Sequence, residues 1–308
     1  MKIVTLTLNP AFDMHCYSEN FRPYFENVAT VTDYNAGGKG INISRALLAG
    51  GVSSRGLVIV GRDNGTSYLE ALSKDGVETD VIMTEGRIRE NITLHTENSP
   101  ETRISFRGFT ADEALLQEVE NRLVDLSSGD VLTLTGSNPK GFEPEAVKAM
   151  LGRIKERGIQ IVVDSNSFTL DDLMEIKPWL VKPNGEEIGK YVGEEPDTIE
   201  KAMEAAKMLH EKGIENAMIS LGENGAVLAS EEGCYHALPP VCTVVSTIGA
   251  GDSAIAGFIT AYQKGGSSGD CLRNAVAYGS AACMTSGTNP PQISEIEKLI
   301  PKIVLCEA

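Results

Sequence analysis

The fold class follows from the stretch of residues 131–164, which reads VLTLTGSNPKGFEPEAVKAMLGRIKERGIQIVVD. Apolar residues at 131–134 and 159–163 predict two buried strands, and residues 143–157 predict a helix that ends at Gly158. The alternation continues towards the C-terminus, with a strand at 180–181, a helix at 197–212 and a strand at 217–221. Because strands that alternate with helices of about 10–15 residues form parallel sheets covered on both faces, the sequence predicts an α/β fold.

Two regions depart from this alternation and predict a second, smaller sheet. Residues 14–36 and 87–108 show weak period-two alternation of apolar and polar side chains, without a helical pattern. We therefore expect antiparallel strands in both regions. A small sheet beside an α/β core suits a lid that excludes water, or a subunit contact through strand edges. We expect residues 1–308 to form a single domain that carries this lid.

Composition and charge exclude several classes of protein. The 308 residues carry a formal net charge of −16 and no basic stripe, which argues against a nucleic-acid partner. No run of about 20 apolar residues is present, so we expect no membrane span. The apolar run at residues 1–6 is too short for a signal peptide, and a cytoplasmic location is therefore expected.

The strongest chemical signal is the segment Thr247-Ile248-Gly249-Ala250-Gly251-Asp252-Ser253, which follows a strand-like run at 242–245 and precedes a helix-like run at 254–262. Glycines at the start of a helix let backbone N–H groups approach an anion, and the helix dipole favours negative charge there. The Asp252 carboxylate could then take a proton from a hydroxyl that attacks phosphorus. The alternative is a glycine-rich turn in which Asp252 is an ordinary N-cap.

The same segment also matches a loose dinucleotide-binding fingerprint, with Asp270 about 20 residues further on. In that fingerprint the acidic residue ends the next strand, whereas Asp270 lies in a stretch that predicts a loop before a helix. The P-loop fingerprint is absent, since Lys39 is followed by Gly40. An NAD-dependent enzyme is therefore the weaker alternative.

Two segments near the N-terminus offer polar groups to a ligand. Gly37-Gly38-Lys39-Gly40-Ile41-Asn42 suits close approach of a polar ligand at a helix start, or else forms a flexible turn with a solvated lysine. Asp13 follows the first predicted strand, where open α/β sheets bind ligands and a carboxylate could hold sugar hydroxyls. Taken alone, Asp13 is equally consistent with a capping or surface role.

Two later segments suit a nucleotide and its metal. Asn184 and Glu187 start a predicted helix and offer oxygen ligands of the kind that Mg²⁺ prefers, although Asn184 also suits helix capping. Ser220-Leu221-Gly222-Glu223-Asn224-Gly225 is a strand followed by a glycine turn, which is a weaker signal.

In this order, the segments resemble the ribokinase-like (phosphofructokinase B) carbohydrate kinases, and most closely their 1-phosphofructokinase and tagatose-6-phosphate kinase branch. The resemblance spans essentially the whole chain, and it is carried by Thr7-Leu8-Asn9-Pro10-Ala11 with Asp13, Gly37–Asn42, Gly136-Ser137 with Pro139 and Gly141, Lys182-Pro183-Asn184 with Glu187, Ser220-Leu221-Gly222 with Gly225-Ala226, and Thr247–Ser253. It implies a three-layer αβα core with a small β-sheet lid, and a homodimer formed through that lid. It further implies ATP, Mg²⁺ and a sugar phosphate substrate.

The resemblance also assigns roles to individual residues. It makes Asp252 the base and Gly249, Ala250 and Gly251 the anion hole. The residues implied to bind the sugar are Asp13, Gly37, Gly38, Lys39, Asn42, Arg89, Asn91 and Ser137. Those implied to bind the nucleotide are Lys182, Asn184, Glu187, Ser220, Gly222, Gly225, Thr247, Asn274 and Ser280. Asn184 and Glu187 are also implied to hold Mg²⁺ through water and phosphate.

Some positions depart from the pattern of the branch. Where the branch reads Thr-Arg-Ile-Asn-Val-Lys, residues 88–93 read Ile-Arg-Glu-Asn-Ile-Thr, and the arginine of the branch is missing after Asn27. Phosphate contacts remain possible from Lys39, Arg89, Arg103 and Arg107. We expect fructose 1-phosphate or tagatose 6-phosphate as the substrate. An unphosphorylated sugar or a nucleoside, or a non-catalytic sugar-binding regulator, are the alternatives.

Overall fold

A computed structural model of the chain describes residues 1–97 and 101–307. Ten of the described strands form one large sheet. In sheet order they are β14 (Val304–Glu307), β13 (Gly233–Leu238), β12 (Ala226–Ser230), β11 (Asn216–Ser220), β10 (Leu180–Val181), β9 (Gln160–Asp164), β8 (Val131–Thr135), β1 (Ile3–Thr7), β4 (Arg55–Gly61) and β5 (Glu78–Thr84).

The large sheet is parallel from β5 to β11, as the strand and helix pattern predicts, and antiparallel from β11 to β14. Short connections explain the antiparallel pairing of β11 with β12 and of β12 with β13, whereas residues 239–303 separate β13 from β14. A turn with positive φ at Gly222 and Gly225 joins β11 to β12, and two residues join β12 to β13. Connections this short reverse the chain direction, whereas a parallel neighbour needs a long crossover.

Ten α-helices accompany the described strands: α1 (Lys39–Ala49), α2 (Gly65–Leu72), α3 (Glu113–Asn121), α4 (Pro144–Lys155), α5 (Leu170–Ile176), α6 (Gly185–Val192), α7 (Ile199–Glu211), α8 (Ala250–Gln263), α9 (Ser268–Cys283) and α10 (Ile293–Leu299). Side chains of α1, α8, α9 and α10 share one buried cluster, and those of α3 to α7 share another. Adjacent strand residues point to opposite clusters, as Val131 and Leu132 do. The core is therefore the three-layer αβα arrangement that the sequence and the resemblance predict.

The remaining four strands form the small sheet, in the order β3 (Thr30–Gly37), β2 (Ala11–Tyr17), β6 (Arg89–His95) and β7 (Thr102–Ser105). Its strands lie in both predicted regions, although the prediction for residues 98–100 lies outside the described residues. The expectation of antiparallel strands is wrong for β2 and β6, which pair in parallel. These two strands are far apart in sequence, so no hairpin dictates their direction.

The small sheet is anchored to the core at one end. Phe12 and Ala36 are buried together with Tyr68 and Leu72 of α2. The Tyr68 hydroxyl donates to the Gly37 carbonyl oxygen at 2.7 Å. This packing fixes the end of β3 beside the start of α1, where Lys39 and Asn42 lie.

The strand expected at residues 242–245 is absent, because this segment has no strand partner. Val244 and Val245 are exposed, and the Val245 and Ser246 amides donate to the carbonyl oxygen of Cys283, at the end of α9. A helix end offers only a few carbonyl acceptors, so it cannot continue a sheet ladder. Among the described helices, none is long and apolar enough to cross a membrane.

Candidate active site

Two adjoining cavities lie at the carboxyl ends of the parallel strands. The smaller, of about 350 Å³, lies between the small sheet and the starts of α1 and α8. The larger, of about 1170 Å³, lies between α6, the β11–β12 turn, α8 and α9. Both are lined by Lys182, Asn184, Ser220 and Gly251. A ligand in one cavity can therefore meet a ligand in the other at these four residues.

The start of α8 faces this junction. Gly249 caps the helix with φ 79°, in the left-handed region that favours glycine, and no described side chain caps its amides. A Cβ at Gly251 would lie 3.0 Å from Lys182 Nζ, so this glycine leaves room for the ammonium group. Backbone donors, the helix dipole and a lysine thus meet at one point, which is an arrangement that binds anions.

Asp252 lies in the first turn of α8 and is buried, with 5 % of its surface exposed. Asn42 Nδ2 donates to Asp252 Oδ2 at 2.9 Å. Burial raises the pKa of Asp252 to about 6, against the opposing effects of Lys39 and of the Asn42 hydrogen bond. A carboxylate with this pKa is mostly ionised at neutral pH and takes up a proton readily, as a general base must.

Asp164 is a residue of the site that the sequence analysis did not select. It ends β9, where Oδ2 accepts from Lys39 Nζ at 2.9 Å and Oδ1 lies 3.6 Å from Lys182 Nζ. Burial would raise the pKa of Asp164, but the two lysines hold it below its ordinary value. Its carboxylate therefore keeps two ammonium groups beside the start of α8, which concentrates positive charge in an acidic protein. The sequence feature that could have identified Asp164 is its place at the end of a predicted strand.

The small sheet contributes Asp13, Arg89 and Asn91 to the smaller cavity. Asp13 lies within β2 rather than in a loop, and its Oδ1 accepts from Asn91 Nδ2 at 2.9 Å. Burial raises the pKa of Asp13 and lowers the pKa of Arg89. Within the described part of the chain, the buried atoms Arg89 Nε and Asn91 Oδ1 have no hydrogen-bond partner. Asp13, Arg89 and Asn91 therefore place a carboxylate, a guanidinium group and an amide on one wall of the cavity.

Asn184 and Glu187 form a capping box at the start of α6. The Asn184 side chain accepts from the Glu187 amide at 2.8 Å, and Glu187 Oε2 accepts from the Asn184 amide at 2.9 Å. The capping role is thus present, and both side chains also line the smaller cavity. Among the described residues, no cluster of three or more histidine, cysteine, aspartate or glutamate side chains could hold a metal. The donor set fits only an ion whose other ligands come from water and phosphate, as Mg²⁺ commonly has.

Most of the predicted site residues meet at the two cavities. Those in the smaller cavity are Asp252, Gly249, Gly251, Asp13, Gly38, Lys39, Asn42, Arg89, Asn91, Lys182, Asn184, Glu187 and Ser220. The larger cavity adds Ala250, Gly222, Gly225, Thr247 and Ser280. Ile248 and Thr288 line the smaller cavity without having been selected from the sequence.

Three predicted site residues line neither cavity. Gly37 leaves room for Asp13, because a Cβ at this position would lie 2.3 Å from Asp13 Oδ2. Ser137 Oγ accepts from Asn9 Nδ2 at 3.1 Å. Asn274 Nδ2 donates to the Asp270 carbonyl oxygen within α9, at 2.9 Å, so this amide bonds its own helix. Asp270 itself caps α9 through Ser267, which leaves it no role as the acidic residue of a dinucleotide fingerprint.

The two cavities thus meet at an uncapped helix start that suits an anion, beside a buried carboxylate. Consistent with this, a model described as pfkB family carbohydrate kinase matches residues 8–295. The chain belongs to the pfkB family of carbohydrate kinases, so it is a phosphotransferase that acts on a sugar hydroxyl, with ATP as the donor that the family implies. The predicted family and fold class are thereby confirmed.

Individual relatives cover nearly the whole chain. The chain is 31 % identical over 303 residues to a 1-phosphofructokinase of Haemophilus influenzae, covering 98 % of this chain and 97 % of the relative. It is 32 % identical over 297 residues to a 1-phosphofructokinase of Escherichia coli, covering 95 % of each. The crystal structure of phosphofructokinase-2 from Escherichia coli, in complex with substrates and products, superposes with a TM-score of 0.91 at 27 % identity, covering 98 % of this chain and 99 % of that chain.

Proposed function

We propose that the protein transfers the γ-phosphoryl group of ATP to a hydroxyl of a ketohexose phosphate. The first candidate reaction converts fructose 1-phosphate to fructose 1,6-bisphosphate, and the second converts tagatose 6-phosphate to tagatose 1,6-bisphosphate. The observation that carries the proposal is the buried Asp252 carboxylate at the uncapped start of α8, beside Lys39 and the junction of two cavities.

The proposed step is an in-line displacement at phosphorus. Asp252 accepts the proton of the sugar hydroxyl while the hydroxyl oxygen forms a bond to the γ-phosphorus. The bond between the γ-phosphorus and the leaving oxygen of ADP breaks in the same step. The α8 amides at 249–251, with Lys182, stabilise the charge that spreads over the transferred group. Mg²⁺ bound to ATP would neutralise phosphate charge, with Asn184 and Glu187 holding it through water and phosphate.

Arg89 supports a phosphorylated rather than a free sugar. Its guanidinium group lines the smaller cavity, and a guanidinium group binds phosphate through strong charge-assisted hydrogen bonds. Asp13 and Asn91, on the same wall of the cavity, suit the sugar hydroxyls. Fructose 1-phosphate is the first candidate because relatives that match nearly the full chain are named 1-phosphofructokinase.

The larger cavity suits the nucleotide. Its walls combine apolar side chains, such as Val244, Ala254 and Val276, with the turn at Gly222–Gly225. A purine base needs an apolar slot with few polar contacts, and the polar junction at Lys182 is left for the phosphates. Because ATP and sugar phosphates are both metabolites of the cytoplasm, we also propose a cytoplasmic location.

The small sheet is proposed to act as the lid of this one kinase unit and as its dimer interface. It supplies one wall of the smaller cavity and thus could exclude water from the reaction. Its strands and their flanks also expose the large apolar side chains Tyr17, Val31, Tyr34, Ile104 and Phe106. Exposed apolar groups clustered on one small sheet are typical of a protein–protein contact, and a second copy of the same sheet is the partner proposed.

A coupled ADP-release assay with Mg-ATP tests the proposal. The acceptor panel contains fructose 1-phosphate, tagatose 6-phosphate, fructose 6-phosphate, fructose and ribose. We expect turnover with one phosphorylated ketohexose. Turnover with free sugars alone would contradict the proposal that the substrate is phosphorylated. The absence of turnover with every acceptor would contradict the proposed reaction.

Arg89→Met tests whether Arg89 binds the phosphate group of the substrate. We expect the KM for the sugar phosphate to rise about tenfold to hundredfold, since a hydrogen bond to a charged group is lost, while the KM for ATP is unchanged. Arg62→Met is the matched control, because Arg62 pairs with Glu85 at the surface and lines neither cavity. An unchanged KM in Arg89→Met would show that the phosphate binds elsewhere.

A further inference from the structure

A buried arginine, Arg45, lies behind the proposed base and lines neither cavity. It is 7 % exposed and follows Asn42 by three residues in α1, so the two side chains share one side of the helix. Arg45 Nη1 donates to Asn42 Oδ1 at 3.3 Å, and Asn42 Nδ2 donates to Asp252 Oδ2 at 2.9 Å. Arg45 therefore reaches the proposed base through a single amide group.

The chemistry of the three groups leaves the amide one orientation. A guanidinium group only donates hydrogen bonds, and a carboxylate only accepts them. The acceptor end of Asn42 must therefore face Arg45, which leaves its donor end for Asp252. An amide rotated by half a turn would place Oδ1 against the Asp252 carboxylate, where two acceptors repel each other.

The guanidinium group of Arg45 is itself held by two other elements. Nε and Nη2 donate to Asp75 Oδ2 at 2.8 Å and 2.5 Å. Nη2 also donates at 2.5 Å to the carbonyl oxygen of Ala36, near the end of β3. Asp75 lies in a short 3-10 helix after α2, so a fixed fork connects that helix and the small sheet to Asn42.

We propose that Arg45 is a positioning residue of the phosphoryl-transfer reaction, which fixes the Asn42 amide so that its donor end faces the Asp252 carboxylate. The inference rests on the proposed role of Asp252 as the base. Without Arg45 the amide can rotate, and Asp252 loses a hydrogen bond to its charged form. Because that hydrogen bond lowers the pKa of Asp252, its loss moves the pKa further above the ordinary value.

Other charged groups lie near Asp252 and Arg45, and the variants must separate their effects from that of the Asn42 hydrogen bond. Asp252 faces Lys39 of α1, Asp164 of β9 and Lys182 after β10. Arg45, besides Asp75, acts on Asp13 of β2 and on Tyr68 of α2. Removal of Arg45 therefore also affects Asp13, on the sugar side of the cavity. Asn42→Ala separates the two effects, because it removes the hydrogen bond to Asp252 and leaves Arg45 in place.

The test compares pH profiles of kcat and kcat/KM for Arg45→Met, Arg45→Lys and Asn42→Ala, with the sugar phosphate that the intact enzyme uses. We expect Arg45→Met to lower kcat about tenfold with an unchanged KM for ATP. The acidic limb of the profile should move upward by about 1 pH unit, as it does in Asn42→Ala. Arg45→Lys keeps the charge without the fork, and should show a smaller shift in the same direction. In the double variant that combines Arg45→Met with Asn42→Ala, the acidic limb should move no further than in Asn42→Ala alone.

Asp75→Asn is the structural control, because it weakens the ion pair but leaves an oxygen for Arg45 to bind. We expect a lower melting temperature and an unmoved acidic limb. A limb that moves in Asn42→Ala but in neither Arg45 variant overturns this inference and leaves Asp252 as the base. Additive shifts in the double variant overturn it as well. An intact enzyme without any acidic limb overturns the assignment of the base, and this inference with it.

Discussion

At the scale of the residue, the burial of Asp252 has a cost in stability that a substitution can reveal. Its pKa in the folded chain is about 6, above the ordinary value of 3.8. Between these values the folded chain holds more protons than the unfolded chain, so stability falls as the pH rises through this window. Above about pH 6 the full loss of folding stability from the buried charge is present.

Asp252→Asn removes the charge and should therefore raise the free energy of unfolding at neutral pH by roughly 1–3 kcal/mol. The advantage of the variant should shrink as the pH falls from about 6 to about 4, and then vanish. Melting temperatures of both proteins, measured without ligands across this range, check the prediction. A variant that is less stable than the native chain at pH 7 would show that the charged carboxylate is already well compensated.

Sequence reasoning selected Asp252 as the candidate base but not everything that surrounds it. The glycines before Asp252 and its place at a helix start were readable from local sequence alone. Asp164 was missed because its role depends on Lys39 and Lys182, which other strands and helices bring to it. Arg89 and Asn91 came from the family resemblance, since no local pattern indicates where their side chains lie.

At the scale of the element, the start of α8 depends on a left-handed residue at Gly249. Gly249→Ala should lower stability by about 1–2 kcal/mol, because φ 79° is unfavourable for a residue with a Cβ. It should also lower kcat about tenfold or more, since relief of the strain moves the amides that are proposed to face the transferred group.

Gly265→Ala is the matched control for Gly249→Ala. Gly265 has φ 78° and lies just past the other end of α8, with open space where a Cβ would be. We expect a similar loss in melting temperature with unchanged kcat. If both variants lose turnover equally, the effect of Gly249→Ala is one of general stability and not of the anion site.

The elements themselves were predictable to different degrees. The αβ alternation of residues 131–221 follows from local periodicity and was confirmed. The parallel pairing of β2 with β6 was not predictable from local sequence, because Asp13 and Asn91 come into register only through the fold. The exposed valines at 244 and 245 resemble a strand locally but find only a helix end as a partner.

At the scale of the whole molecule, the small sheet is proposed to pair two copies of the chain. Val31, on an edge strand, is 53 % exposed, and Val31→Glu should convert the dimer into monomers by placing a charge in the contact. Val124→Glu, at an exposed position after α3, should leave the dimer intact. Sedimentation velocity of the native chain and both variants checks this. A native chain that sediments as a monomer would contradict the proposed interface.

The central claim is that Asp252 is the base for phosphoryl transfer from ATP to a ketohexose phosphate. The most direct measurement is the rate of ADP release with Mg-ATP and saturating fructose 1-phosphate, for the native chain, Asp252→Asn and Asp63→Asn. Asp63 is an exposed aspartate that lines neither cavity, so its variant controls for the loss of one charge. Calorimetry with fructose 1-phosphate shows whether each variant still binds the sugar.

We expect Asp63→Asn to match the native chain, and Asp252→Asn to bind fructose 1-phosphate while losing about 10²–10⁴-fold in kcat. Turnover by Asp252→Asn within tenfold of the native rate would contradict the assignment of the base.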